Sequence, residues 1–199
     1  MKYMLIIVSL LIFSGCIVEK KPSITDFKIA VEHKQATVTA SGCKDKTLKI
    51  SQAFSSSTLQ SLKMSYVESD SKVYAYSEAQ WMESPKYAIS KAVFLKIRDA
   101  NIFSNVNISK SRSNGDLLLE ILIEDFMQYY NNDLDKSYAK ISISLNIIDA
   151  KDYTVIASKR FNSKVDAKTL NAEGGVDALN TALSNVLNEN IEWLDGVCK

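Results

Sequence analysis

The sequence predicts an α+β domain in which two helices pack on one face of a mainly antiparallel sheet. Apolar and polar residues alternate over 117–124 and 139–147, as in strands with one buried and one solvated face. Residues 85–100 and 176–194 instead repeat apolar side chains at the spacing of a helix. Short turn signals separate the strand segments, so we expect hairpins to dominate the sheet.

Three strands and a helix form the first half of this domain. The strands are predicted over 47–54, 62–68 and 72–80. The second and third are joined across Ser69-Asp70-Ser71 as a hairpin. Ser84 at the N-cap and Pro85 at the first helical position mark the start of the helix, which runs to about residue 101.

Four strands and a second helix follow. The strands are predicted over 102–110, 117–124, 139–147 and 153–165. The turn Ser113-Asn114-Gly115 precedes the second of them, and Asp149-Ala150-Lys151-Asp152 precedes the fourth. The predicted order of elements is therefore βββ-α-ββββ-α, in one domain over 47–199.

Composition excludes several classes of function. Lys and Arg total 24 against 23 Asp and Glu, so there is no basic field for nucleic acid. The single histidine, His33, lies in a polar stretch, and the chain has no serine-hydrolase, phosphate-loop or zinc-protease motif. We therefore expect a protein that is not an enzyme, with no catalytic residues and no metal or soluble cofactor.

Glu120, Glu124 and Asp125 form the one carboxylate cluster that is a candidate for acid–base chemistry. In a strand, Glu120 and Glu124 share a face about 13 Å apart, which is too far for a coupled acid–base pair. We expect them on the solvated side of the sheet. A polar rim that contacts a partner protein is the alternative.

Aromatic residues are concentrated in two places, before the first helix and at the end of the strand that begins at residue 117. Most such side chains are buried in the core. Tyr and Trp are, however, also enriched at protein interfaces. Any exposed subset would form a docking patch. The candidates are Tyr74, Tyr76, Trp81, Tyr129 and Tyr130.

The N-terminus carries an export signal. Ten consecutive apolar or small residues run from Met4 to Phe13, too few to span a bilayer, which takes roughly 20. Phe13-Ser14-Gly15-Cys16 resembles the bacterial lipobox, which implies cleavage of residues 1–15 and a diacylglycerol and N-acyl lipid on Cys16. Residues 16–46 are predicted as the lipidated tether. A plain secretory signal with a chance cysteine is the alternative.

The two remaining cysteines, Cys43 and Cys198, are an even pair in an exported chain. Disulfides persist in oxidising compartments, so we expect these two residues to be bridged. Two separate thiols remain the alternative. Neither has a His or Cys neighbour at the spacing of zinc ligands.

An ordered set of features resembles the PqiC-like family of ABC-type transport auxiliary lipoproteins. It comprises the Tyr-rich strand before Trp81, the Pro-started helix, Ile102-Phe103, and Val106 at the next strand. The run DLLLEILIEDFMQYY and the hairpin with Asp149-Ala150 and ASKRF follow, before the C-terminal helix. The resemblance covers about residues 47–194. Cys43 and Cys198 are not features of the family, and residues 28–46 do not align with it.

This resemblance implies an accessory lipoprotein on the periplasmic face of the outer membrane. Its partners would be an MCE-domain protein and an ABC transporter permease and ATPase that move lipids or related hydrophobic compounds between membranes. Ile17, rather than Asp, follows the lipidated cysteine, which favours outer-membrane sorting. A lipid-binding carrier and an outer-membrane assembly or structural lipoprotein are the alternatives. Whether the chain also forms a homo-oligomer is left open by the sequence.

Overall fold

The computed structural model describes residues 23–31, 41–69 and 71–199, so the signal, Cys16 and His33 lie outside it. The described residues form a nine-stranded sheet and two α-helices, which confirms the α+β class. The elements are β1 (Thr25–Phe27), β2 (Thr47–Ile50), β3 (Phe54–Ser55), β4 (Lys63–Glu68), β5 (Lys72–Trp81), α1 (Pro85–Asp99), β6 (Asn105–Ile108), β7 (Leu117–Tyr130), β8 (Ser137–Asp149), β9 (Val155–Asp166) and α2 (Ala172–Val197).

Strand β7 lies at the centre of the sheet. One edge pairs antiparallel with β8 over its full length. The other edge pairs in succession with β2, β3 and β4, all parallel. The sheet is therefore mixed, although its longest ladders, β7–β8 and β8–β9, are antiparallel as predicted. Parallel pairing is possible because α1 lies in the crossover between the early strands and β7.

Two short strands differ from the sequence expectation. Residues 47–54 split into β2 and the start of β3 rather than forming one strand. β1 lies inside the predicted tether 16–46, where Thr25 pairs parallel with Ala79. It supplies hydrogen-bonding partners to the edge of β5, which would otherwise be open.

A β-bulge in β7 changes which residues face the helices. Before the bulge, Leu119, Ile121 and Ile123 are buried on the inner face of the sheet. The bulge lies between Ile123 and Asp125, and the extra residue shifts the alternation by one. Phe126, Gln128 and Tyr130 therefore point inward, while Glu120, Asp125 and Tyr129 point to the outer face.

Both helices cover the inner face, as predicted. α2 contacts β7, β8 and β9, while α1 contacts β6, β7 and α2. One hydrophobic cluster joins the helices to the sheet, and the Trp193 ring of α2 meets Phe161 of β9 edge to face at 5.6 Å. The fully buried side chains of this cluster include Leu48, Ile89, Ile97, Leu119, Ile123, Ile141, Ile143, Leu145, Phe161 and Leu183.

The first turn of α2 lies directly against β7. Asn171 caps the helix by accepting a hydrogen bond from the Gly174 N–H at 2.9 Å. Gly175, one residue later, is buried, and a Cβ there would collide with the side-chain amide of Gln128. Glycine therefore allows the close approach of helix and strand.

The far end of α2 is tied covalently to the segment before β2. Cys43 and Cys198 form a disulfide with their Cα atoms 5.2 Å apart, the pairing that the sequence favours. The Gly42 N–H also donates to the Cys198 carbonyl at 2.7 Å. Both ends of α2 are thus fixed, one by packing on Gln128 and the other by the bridge.

Substitution of Gly175 by alanine tests the helix–strand contact. We expect Gly175→Ala to lower the free energy of unfolding by about 1–3 kcal/mol, because the added methyl group displaces the Gln128 amide. Urea unfolding followed by circular dichroism measures the change. Gly196→Ala is the matched control in the same helix, since a Cβ there meets nothing within 4 Å. Equal stability of the two variants would contradict the assigned contact.

Removal of the disulfide tests the second restraint. The bridge closes a loop with a sequence separation of 155 residues. We expect Cys43→Ser/Cys198→Ser to lose about 2–5 kcal/mol of stability, mainly because the unfolded chain regains freedom. The double variant should unfold at the same urea concentration with and without reductant, while the parent should weaken on reduction. A parent insensitive to reductant would argue against the bridge.

Candidate functional site

Four tyrosines from three neighbouring strands meet on the inner face, and we name them the tyrosine cluster: Tyr66, Tyr74, Tyr76 and Tyr130. The Tyr66 ring is central, with its centroid 5.8, 4.6 and 5.5 Å from those of Tyr74, Tyr76 and Tyr130. Tyr74 is the exposed member, with 45% of its surface accessible. The structure therefore brings together three of the aromatic residues singled out in the sequence and adds Tyr66, which faces Tyr74 across the β4–β5 hairpin.

A closed hydrogen-bond network joins the cluster to Gln128. The Tyr76 hydroxyl donates to Gln128 Oε1 at 2.8 Å, and the Gln128 amide donates to Ser137 Oγ at 2.9 Å and to the Tyr130 hydroxyl at 3.3 Å. The Tyr76 and Tyr130 hydroxyls share a further hydrogen bond of 2.7 Å. The buried amide is thus fully satisfied.

This environment keeps Tyr66 and Tyr76 neutral. Burial, followed by the hydrogen bond to Tyr130, raises the pKa of Tyr76 far above its ordinary value. Burial also raises the pKa of Tyr66, with a further contribution from the negative charge of Glu68. The cluster can therefore donate and accept hydrogen bonds and offer ring surface, but neither phenol is prepared to act as a base near neutral pH.

Tyr129 belongs to a different surface. It lies on the outer face, where its ring stacks on Tyr138 with a centroid separation of 5.4 Å. Its hydroxyl donates to Asp125 Oδ2 at 2.6 Å, and the Lys140 ammonium lies 3.1 Å from the same oxygen. Tyr129 therefore does not share a docking patch with Tyr74, Tyr76 and Tyr130.

Trp81 is a correction to the predicted docking set. Only 3% of its surface is accessible, and its ring packs 5.7 Å from Phe126 in the core. An irregular register between β4 and β5 separates the Tyr74 pairing from the Gln80 pairing. Trp81 is consequently buried in the core and presents no surface to a partner.

The carboxylates of β7 lie on the outer face and bind polar neighbours rather than one another. Glu124 accepts hydrogen bonds from Ser142 and Ser144 and pairs with Arg160 of β9. Glu120 lies 3.5 Å from the Asn146 amide. Glu120 and Glu124 thus find their polar partners on neighbouring strands, an arrangement that favours a structural surface over acid–base chemistry.

A cleft of about 520 Å³ lies at the opposite end of β7 from the tyrosine cluster. Its walls come from three turns that are distant in sequence, so no local motif indicated it. Lys49 is held in place by the carbonyls of Ser111 and Ser113, at 3.1 and 3.2 Å. The lining residues are Lys46, Lys49, Asn114, Gly115, Asp116, Leu118, Asp149, Ala150, Lys151 and Tyr153.

Two kinds of feature are absent from the described residues. Within residues 23–31, 41–69 and 71–199, no group of His, Cys, Asp and Glu side chains is arranged to hold a metal ion. None of the helices in this same part of the chain is long and apolar enough to cross a membrane.

Solved structures share this fold at low sequence identity. Protein XCC0632 from Xanthomonas campestris, described as a member of family DUF330, superimposes with a TM-score of 0.77 at 17% identity over 87% of this chain and 95% of its own. An uncharacterized protein gives 0.65 at 9% identity over 86% of this chain and 99% of its own. Protein CT253 from Chlamydia trachomatis gives 0.52 at 7% identity over 77% and 98%.

Sequence comparison alone finds no relative, since no protein-family model and no curated protein matches the chain. The structural likenesses, at 7–17% identity, establish a shared fold. They extend over nearly the whole of each matched chain, so the fold is that of the entire domain and not of one motif within it.

Proposed function

We propose that this chain is a lipoprotein that is held on the periplasmic face of the outer membrane by lipids on Cys16. There it would serve as an accessory component of an MCE-type ABC system for lipids or related hydrophobic compounds. The observation that carries the anchoring is the sequence Phe13-Ser14-Gly15-Cys16 behind a short apolar run. Three acyl chains on one cysteine exceed the two signals needed for stable attachment.

The transport role is supported by the resemblance of residues 47–194 to PqiC-like auxiliary lipoproteins. The fold adds support, because the likeness to the DUF330 protein of Xanthomonas campestris covers almost all of both chains. Ile17 after the lipidated cysteine favours sorting to the outer membrane. These observations are mutually consistent, and the partners themselves are the subject of the tests below.

A binding role fits the chemistry better than a catalytic one. The pKa of Tyr76 is raised, so this phenol stays protonated, and Glu124 and Asp125 are paired with Arg160 and Lys140 respectively. Tyr74, the exposed member of the tyrosine cluster, is the point at which another molecule can reach the cluster. Tyrosine offers both ring surface and a hydroxyl for such contact.

Replacement of Cys16 tests the anchor. We expect Cys16→Ala to leave the outer-membrane fraction and to carry no acyl groups on its N-terminal peptide, as measured by mass spectrometry. Formation of the Cys43–Cys198 bridge in the variant serves as the control for folding. Retention of the variant in the outer membrane would refute lipid anchoring at this residue.

Affinity capture tests the transport role. After mild cross-linking of whole cells, we expect the tagged chain to bring down an MCE-domain protein and an ABC permease, while an unrelated lipoprotein with the same tag does not. A carrier of lipid would instead yield bound lipid in solvent extracts of the purified protein. An eluate without MCE protein or permease would contradict the proposed role and favour a structural lipoprotein.

A further inference from the structure

The strands of the sheet terminate at two opposite ends. Three chain connections lie side by side at one of these ends. The β4–β5 and β7–β8 turns lie side by side because Glu68 pairs with Tyr130. The end of β9 is level with them because Tyr138 pairs with Asp166, and the loop 167–171 follows. We name this the turn end. The opposite end carries the β8–β9 turn and the lysine-lined cleft, and we name it the cleft end.

The direction of β1 shows from which end the tether enters the sheet. β1 runs parallel to β5, so the chain before Thr25 approaches from the turn end. Asp26 of β1 pairs with Gln80 of β5, and Gln80 pairs with Lys63 of β4. Lys63 precedes Glu68, which lies at the turn end, by five residues, so β1 starts about 17 Å from the turn end. The nine residues from Cys16 to Thr25 can span at most about 30 Å.

The cleft end is a poor destination for the same tether. β7 has 14 residues and is therefore about 46 Å long, so the cleft end lies more than about 25 Å from the start of β1. The tether would have to reverse its direction before covering that distance. The turn end needs no reversal and lies well within reach, so it is the end that a lipid on Cys16 would hold near a membrane.

The turn end presents apolar side chains to solvent. Val73, Tyr74, Leu134 and Leu170 are 56, 45, 47 and 48% exposed. Val73 and Tyr74 belong to β5, Leu134 to the β7–β8 turn and Leu170 to the loop after β9, so these side chains are spread across the width of the turn end. Tyrosine is also enriched where proteins meet the membrane–water boundary.

Leu134 is held at the tip of the β7–β8 turn at some cost. Its φ of 55° lies in the left-handed region, which a branched apolar residue rarely occupies. Asn131 fixes this geometry, since its Oδ1 accepts hydrogen bonds from the backbone of Asp135 and Lys136 at 3.1 and 3.0 Å. Asn or Gly would fit this backbone with less strain. The presence of leucine therefore points to a role for its apolar side chain at the tip of the turn.

We infer that the turn end rests on the lipid surface that holds Cys16, with Leu134 and Leu170 in the boundary layer and Tyr74 beside them. This inference rests on the proposed lipidation of Cys16. Charged residues at this end have both signs, so the contact depends on apolar side chains and not on attraction to anionic lipid. They include Glu68, Lys72, Asp133, Asp135, Lys136 and Lys168.

Exposed apolar residues also occur at the cleft end, where Tyr153 is 74% exposed and also has a positive φ of 62°. The exposure of apolar residues therefore does not by itself indicate which end faces the membrane. The direction of β1 and the length of the tether indicate the turn end. Tyr153 supplies the matched control. The two turns close opposite ends of β8, so a probe at Tyr153 would lie roughly 40 Å from a probe at Leu134.

Depth-dependent quenching tests the inference. Full-length lipidated protein with Leu134→Cys or Tyr153→Cys is labelled with bimane and inserted into phosphatidylethanolamine vesicles containing brominated lipid, with or without phosphatidylglycerol. We expect at least a twofold loss of fluorescence at position 134, none at 153, and the same result in both lipid mixtures and in high salt. Quenching at 153 alone, at both positions, or at neither would overturn the inference.

Flotation of the same samples separates the two hypotheses. Protein that does not float with the vesicles refutes lipid anchoring, whereas protein that floats with an unquenched probe at 134 refutes only the membrane-facing turn end. Leu134→Asn adds a check on the tip, because it removes the apolar side chain and suits the left-handed backbone. It should retain urea stability and at least halve the quenching of a probe at Leu170→Cys. Unchanged quenching would contradict the role of Leu134.

Discussion

The hydrogen bonding of β7 along both edges is the constraint on which the rest of the fold depends. β8 covers one edge in full, and three separate short strands share the other. None of β2, β3 and β4 could form a stable sheet by itself, because strands of two to six residues bury too little surface. β7 unites them, and its inner face then carries both helices. The bulge after Ile123 adds a second consequence, since it turns Gln128 towards Gly175 and so sets where α2 begins.

The long elements could be predicted from sequence because each repeats its pattern several times. β7, β8, α1 and α2 all follow alternation or helical spacing, and Pro85 marks a start that the structure shares. β1 and β3 could not be predicted, since three and two residues are too few to establish a period. The parallel pairings also depend on tertiary contacts that no local pattern encodes. The Cys43–Cys198 pairing followed from cysteine parity in an exported chain.

Among the aromatic residues, too, some positions could be predicted from the sequence and others could not. Tyr129 and Tyr130 are adjacent in a strand, so they must point to opposite faces, and only the pairing of strands reveals which one joins Tyr76. Trp81 was misplaced because the irregular register of β5 reverses its alternation after Tyr76. The cleft near Lys49 was missed because turns far apart in sequence build it. The pairing of Tyr66 could be predicted from the sequence, because the hairpin turn alone places it opposite Tyr74.

The disulfide determines how the domain would carry a mechanical load. A protein attached to one membrane at its N-terminus and bound to a partner elsewhere is pulled between two points. Because Cys43 and Cys198 close residues 43–198 into a covalent loop, tension between the lipid proposed on Cys16 and residue 199 would pass through the sulfur atoms. That tension can peel β1 from β5, but it cannot draw out β7 or the helices. Under such a load, the elements from β2 to α2 remain folded within the loop that the disulfide closes.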